Sequence, residues 1–192
     1  NPSNSNYAQV FAGSSLLALG GQHNETLDGG AMQNVFDDTV VIAALTDAGY
    51  PNLTTSSSTL AQAAAGLTTF LYKDFVYTFG GYGPANDQAS KVYVAHVDAA
   101  PDVAVGEFKE TTRLTNPTNG QPYPIPQQAI LCAGASRMFV IGGSNNDIVI
   151  TAPINETDGT LGAWKGAPKL PGALRSAGCA LVGDMLHLFG GV

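Results

Sequence analysis

Short apolar runs recur along the chain, and four of them end in Gly-Gly. They read LLALGG at Leu16–Gly21, VYTFGG at Val76–Gly81, MFVIGG at Met138–Gly143 and LHLFGG at Leu186–Gly191. The leading glycines, Gly20, Gly80, Gly142 and Gly190, are spaced by 60, 62 and 48 residues. Runs this short suit strands rather than helices, and recurrence on that scale marks a stacked or radial β array. Each run is preceded by another apolar run across a two-residue gap: Gly13-Ser14, Lys73-Asp74, Ala135-Ser136 and Gly183-Asp184. These gaps predict hairpins, and the first and last carry the glycine that accepts the positive φ of such turns.

A third strand is expected after a variable loop: VVIAAL (Val40–Leu45), VYVAHV (Val92–Val97) and IVITAPI (Ile148–Ile154). Alanine recurs at Ala43, Ala95 and Ala152, with a branched apolar residue two places on at Leu45, Val97 and Ile154. A fourth strand matches closely between two copies. Gly106-Glu107-Phe108-Lys109 leads to Leu114, and Gly162-Ala163-Trp164-Lys165 leads to Leu170. In the first copy Thr54 and Leu60 take the comparable places. The inner two strands are apolar at most positions, as expected of strands covered on both faces. Phe108 and Trp164 are expected to pack between adjacent units.

Four antiparallel strands per unit, Gly-Gly closing the second and an aromatic in the fourth, resemble the kelch family of β-propellers, galactose-oxidase-like repeats included. The stretch Thr157–Gly191 carries the resemblance most strongly, and the repeats cover nearly the whole chain. The resemblance implies an all-β, kelch-like β-propeller of about three and a half four-stranded antiparallel blades. Its boundaries fall near 1–60, 61–126, 127–175 and a partial 176–192. Closed propellers hold about 4–8 blades. Three explanations stand: a segment of a larger protein, a subunit closing a ring with a copy of itself, or a small ring with a degenerate last blade. The first two spacings exceed the usual kelch length, and the excess lies in two insertions, the loop Gln22–Asp38 and the Pro-rich stretch Thr115–Pro126.

Composition narrows the function. Charged residues are only 12% and hydrophobic ones 44%, so the chain is not a disordered acidic tail. A net charge of −7 with eight Lys and Arg argues against nucleic acid and anionic lipid partners. No apolar run approaches the roughly 18–20 residues that span a bilayer. The polar start Asn1–Asn6 has no signal-peptide core; a secreted protein would have lost that segment or carry it outside this chain. Three N-glycosylation sequons begin at Asn24, Asn52 and Asn155, none on an inner strand, and proline excludes Asn116.

Candidate chemistry is sparse. Cys132 and Cys179 sit at nearly equivalent places on first strands of successive units, so either a disulfide or two buried thiols fits. His23, His96 and His187 lack the spacing of a shared metal site. Kelch-type copper oxidases need a tyrosine beside a histidine, and no such pair occurs. Sialidase-type propellers carry a Ser-x-Asp-x-Gly-x-Thr-Trp turn, from which Thr157–Trp164 departs because Asp158 and Gly159 are adjacent; they read as a tight turn between strands three and four. Asp37-Asp38, Asn86-Asp87 and Asn145-Asn146-Asp147 offer oxygen ligands for calcium, but Asn and Asp also favour turns. No catalytic residue, metal or cofactor is assigned.

The two insertions belong to loop classes that emerge on one face of a blade, where binding surfaces form. Gln22, His23, Tyr82, Asn119, Gln121 and Tyr123 are the candidate contacts. The reading is a non-catalytic extracellular glycoprotein module that binds a protein or glycan partner, or copies of itself, as in a surface coat or filament. Two alternatives remain: a carbohydrate-active propeller enzyme with catalytic residues mostly elsewhere, and an intracellular kelch adaptor.

Overall fold

The structure, a computed structural model, describes residues 5–45, 51–84, 87–98, 103–183 and 185–192. Asn86 and Asp184, invoked above, lie outside these residues. The protein is all-β, built from several antiparallel sheets, with a single 3-10 turn at Gln88–Ser90 among the described residues. It divides into two compact units, Asn1–Glu110 and Thr111–Val192, and the division falls inside the second repeat.

In the first unit, β1 (Ala8–Ala12) and β2 (Ser15–Leu19) form the hairpin around Gly13-Ser14, as the sequence predicts. The insertion after Gly21 is not a plain loop. It folds into its own hairpin, β3 (Gln22–Thr26) and β4 (Met32–Phe36). Its strands are mostly exposed and polar, so no alternation of apolar residues announces them. Then β5 (Val40–Leu45) and β6 (Pro51–Thr55) complete a sheet of order β1-β2-β5-β6. A second sheet has β7 (Thr68–Tyr72), β8 (Phe75–Phe79) and β9 (Val92–Asp98), with short β10 (Ala104–Val105) and β11 (Lys109–Glu110) both paired to β9. The expected fourth strand is thus only two residues long at Lys109–Glu110, directly after Phe108.

In the second unit, β12 (Ile130–Gly134), β13 (Arg137–Ile141), β14 (Val149–Pro153) and β15 (Lys165–Gly166) form one sheet in that order. Its fourth strand is again two residues, beginning right after Trp164. A two-stranded sheet follows, β16 (Gly178–Val182) and β17 (Met185–Phe189). The hairpins at Gly13-Ser14, Lys73-Asp74 and Ala135-Ser136 show two-residue turns at the predicted places, and in the fourth Val182 pairs with Met185.

The Gly-Gly phrase has a structural cause. All eight of its glycines have positive φ, from 60° at Gly142 to 111° at Gly21, a region that side chains with a Cβ avoid. The leading amide closes the turn into the third strand: Gly20 N–H donates to Thr39 O, Gly80 to Lys91 O and Gly142 to Ile148 O. The next amide holds the incoming connection. Gly21 N–H donates to Ala64 O and Gly143 N–H to Leu174 O, each at 2.8 Å. A Cβ on Gly20 would stand 2.3 Å from Ala64 O, and one on Gly142 2.1 Å from Leu174 O. The equivalent pairs Leu60–Asp38 and Leu170–Asp147 repeat a further backbone bond.

Sheet-on-sheet packing follows one rule in both units. Leu17, Leu19, Val40 and Ile42 on one face of the first sheet meet Val76, Tyr93, Ala95 and Val97 of the second. In the second unit Phe139, Ile141 and Val149 occupy the positions of Leu17, Leu19 and Val40, and they meet Leu186 and Leu188. Leu186 and Leu188 are the register equivalents of Val76 and Thr78. Cys132 and Cys179 lie in this second contact and are bonded, with Cα atoms 5.8 Å apart.

Candidate functional site

The Pro-rich insertion builds one wall of a concavity. The backbone turns back at Thr115 and Pro122, with Asn116 N–H donating to Gln121 O. Asn116 Oδ1 accepts from Thr118 N–H at 2.9 Å and Asn119 Oδ1 from Gln121 N–H at 3.0 Å, so the short amides fold the loop on itself. Pro117 then faces Gly166: a Cβ on that glycine would sit 3.4 Å from the proline ring. Between the insertion and β14–β15 lies a cleft of about 340 Å³. Its floor is apolar, from Ile148, Val149, Ile150 and Ala167, and its rim carries Asn116, Thr118, Tyr123 and Lys169. That volume and mixed lining suit a small ligand.

Two polar pairs fix the rim. Asn146 Nδ2 donates to Tyr123 Oη at 2.7 Å, while Asn146 Oδ1 accepts from Ile148 N–H. Lys169 Nζ donates to both Asp147 oxygens, at 2.9 and 3.2 Å. The Lys169 hydrogen bond holds the Asp147 carboxyl below the ordinary aspartate range. Asn146 and Asp147 thus serve the rim and the turn, and their side-chain oxygens are engaged by protein donors.

The other candidate contacts lie in the first unit, around the β3–β4 hairpin. Gln22 Oε1 accepts from Asn34 Nδ2 at 3.0 Å, His23 Nδ1 and Asp37 Oδ2 are 2.9 Å apart, and Tyr82 Oη accepts from Asn6 Nδ2 at 3.0 Å. Phe36 stands edge-on to Tyr82 with ring centroids 5.8 Å apart. These contacts make a hydrogen-bonded seat for the hairpin. Of the six candidates, only Tyr123 lines the cleft; Asn119 and Gln121 shape the loop, and Gln22, His23 and Tyr82 belong to the hairpin seat. The sequence reading missed the floor and Lys169, whose partner Asp147 is 22 residues away along the chain.

The remaining side chains have local roles. His96 packs edge-on to Phe75 at 5.5 Å, and His187 stacks on Phe189 at 6.2 Å. Among the described residues no three His, Cys, Asp or Glu side chains gather as a metal site. Asp158 Oδ1 accepts from Thr160 N–H at 2.9 Å and from its hydroxyl at 2.7 Å, making the expected tight turn between third and fourth strands. Those bonds, the backbone one first, lower the Asp158 carboxyl pKa. Trp164 is buried, and its indole N–H donates to Thr112 O at 3.1 Å. Asn24 lies on β3 rather than in a loop, Asn52 on β6, and Asn155 in the turn after β14; all three are exposed.

In the first unit Lys91 is a buried cation, 7% exposed. Burial works against its charge, but Asp87, at 3.0 Å, and the nearby Tyr93 and Glu110 outweigh this and raise its pKa. Burial likewise raises the Tyr93 phenol. This is a supporting strut between β9 and the connection at Gln62, whose Oε1 accepts from Lys91 Nζ at 3.3 Å.

The fold is similar to that of YjhT. The likeness to that solved structure has a TM-score of 0.60 at 14% sequence identity, over 98% of this chain and 59% of the other. The chain therefore spans about three-fifths of that structure's length, and at this identity the likeness concerns the fold alone. No family model and no curated protein matches the sequence. Among the described residues no helix is long and apolar enough to cross a membrane.

Proposed function

We propose that this chain is a kelch-like propeller segment acting as a non-catalytic extracellular binding module. Its ligand site is the cleft between the Pro-rich insertion and β14–β15, and its ligand is a neutral glycan. One observation carries the reading: an apolar floor and a rim of amide, hydroxyl and phenol groups share one open cleft of about 340 Å³. Sugars present apolar C–H faces and hydroxyl edges together, and such a lining answers both. The only cation on that rim, Lys169, is paired with Asp147, which leaves little net attraction for an acidic ligand.

The extracellular setting has separate support. The Cys132–Cys179 bond suits an oxidising compartment, and the three sequon asparagines are exposed. The kelch-like blades are supported by four Gly-Gly turns of one geometry and by one packing rule used twice.

A panel of immobilised neutral and acidic oligosaccharides tests the site. Binding of a neutral sugar, weakened at least tenfold by Tyr123→Ala and little changed by Tyr82→Ala, is expected. Binding untouched by Tyr123→Ala, or no binding to any sugar, overturns the site. Mass analysis of the protein from its natural source, before and after deglycosylation, tests the compartment; bare Asn24, Asn52 and Asn155 would instead favour an intracellular adaptor.

A further inference from the structure

The polar side chains that line the cleft in the second unit can donate hydrogen bonds, and most of their capacity to accept is already used. The Ile148 N–H fixes one amide. It donates to Asn146 Oδ1 at 3.2 Å, so the group that meets Tyr123 Oη at 2.7 Å is Asn146 Nδ2. A phenol oxygen that accepts from an amide turns its own hydrogen elsewhere, and Tyr123 lines the cleft. Asn116, also in the lining, is fixed in the same way. Its Oδ1 accepts from Thr118 N–H at 2.9 Å, which leaves both Nδ2 hydrogens for a ligand. Lys169 Nζ gives hydrogens to both Asp147 oxygens, at 2.9 and 3.2 Å, and an ammonium has a third. The Thr118 hydroxyl completes the polar lining and can do either. Backbone oxygens of the lining are engaged as well. Asn116 O accepts from Gly120 N–H, Ile148 O from Gly142 N–H and Val149 O from Ala167 N–H, each at 2.8 Å.

Such a rim favours a ligand group that is chiefly an acceptor. A sugar hydroxyl accepts, but its oxygen also brings a hydrogen to a rim already rich in them. An acetamido group offers a carbonyl oxygen that takes two donors and carries no hydrogen. Its N–H adds one donor, for which the Thr118 hydroxyl is an acceptor. Its methyl group needs apolar cover, and Ile148, Val149, Ile150 and Ala167 supply that on the floor. A carboxylate is also an acceptor without hydrogens. It would bring a full charge over that apolar floor, where the rim cation Lys169 is already paired with Asp147.

We infer that the cleft selects a 2-acetamido sugar, its acetamido carbonyl held by Asn116 Nδ2 and the Tyr123 hydroxyl and its methyl seated on the Ile148–Ile150 and Ala167 floor. This rests on the glycan reading above and narrows it to one substituent.

Saturation-transfer NMR and titration of the full 192-residue chain test it. The probes are the methyl β-glycosides of glucose and galactose, each as the 2-hydroxy and the 2-acetamido sugar, and the methyl β-glucuronide. In at least one of the two ring series the acetamido form is expected to bind about tenfold more tightly than its hydroxy partner. Its acetamido methyl protons are expected to take the strongest saturation. Two conservative variants separate the contact from the fold. Asn116→Asp keeps the oxygen that accepts from Thr118 N–H and removes the amide hydrogens; Tyr123→Phe removes only the hydroxyl. Each is expected to erase most of the preference and to leave binding of the 2-hydroxy form little changed. Equal binding of the hydroxy and acetamido forms overturns the inference and leaves the glycan reading standing. A preference that survives both variants overturns it in the same way. Tightest binding of the glucuronide overturns both the acetamido group and the neutral character of the ligand. No binding of any of these sugars overturns the inference together with the glycan reading.

Discussion

The two units stack sheets by the same rule but hold the stack differently. In the first, two full sheets bring twelve buried residues into one core among the described residues, including Leu17, Leu19, Val76 and Phe108. In the second, the Ile141 face of a four-stranded sheet meets the β16–β17 hairpin, and four residues of that core are buried, among the described residues. The hairpin's own share, Cys179, Leu186 and Leu188, is only partly covered. The Cys132–Cys179 bond sits in this thinner contact. The first unit has Val10 and Thr69 at the equivalent positions, and there the Thr69 hydroxyl donates to Gln9 O at 2.9 Å. A covalent staple appears where apolar burial is short and a hydrogen bond where it is ample, as expected when small cores need cross-links.

Removing the staple is the strongest way to break that contrast. The bond closes a loop of separation 47 residues, for which chain entropy gives about 4 kcal/mol. Cys132→Ser with Cys179→Ser, or a reductant, is expected to lower the melting of the second unit by that amount and to leave the first unit's transition in place. Hydrogen exchange followed by mass spectrometry separates the two. Equal loss of protection on β1–β9 and on β12–β17 would show that the bond serves the whole chain.

Next in size is a glycine that both units use alike. Gly142→Ala places a Cβ 2.1 Å from Leu174 O at a φ of 60°, and strain with backbone displacement costs about 3 kcal/mol. Gly20→Ala meets Ala64 O in the same way and is expected to cost a similar amount in its own unit. Gly29→Ala, also at positive φ but with open space around it, should cost about 1 kcal/mol. Chemical denaturation of the three variants checks the order; equal costs would mean that conformation alone, not the incoming connection, selects glycine in the repeat phrase.

These same features explain what was legible. The four hairpins and the third strands could be read because their apolar runs and turn residues are local signals. The β3–β4 hairpin could not, because QHNET and MQNVF face water on most positions and lack alternation. Only Gly29 and Gly30, at φ of 107° and 84°, hint at its turn. The fourth strands were placed correctly by Phe108 and Trp164 but shrink to two residues each. The cleft was half visible: the Pro-rich stretch and Tyr123 stood out, whereas Lys169 depends on Asp147, and Tyr123 on Asn146, across 22 and 23 residues. For the cysteines, adjacency of β12 and β16 decides between two readings that the sequence leaves open.

The contrast sharpens if the first unit is given the second unit's staple. Val10→Cys with Thr69→Cys copies the Cys132–Cys179 positions into the larger core. The pair is expected to oxidise spontaneously, with no free thiol by mass. The gain should be about 2 kcal/mol, less than the chain-entropy value, because the new bond also removes the Thr69 hydrogen bond and disturbs a packed core. No gain at all would mean that the first unit's stack is already limited by something other than chain entropy.

The smallest effect belongs to the cleft rim, and it is one of pH. Lys169 lowers the Asp147 carboxyl pKa below the ordinary value of 3.8. A lowered folded-state pKa means that the pair's contribution is fully present above the unfolded value and is lost as pH falls through the folded one. The rim should therefore keep its Lys169–Asp147 bond throughout the neutral and mildly acidic range and release it only below about pH 4. Carbon-detected NMR titration of the Asp147 carboxyl is expected to give a midpoint below the ordinary aspartate value, and Lys169→Met should raise it. The pair is solvent-exposed, so stability itself should hardly change with this variant. An Asp147 midpoint unmoved by Lys169→Met would show that the backbone of its turn, rather than the lysine, sets the rim's charge.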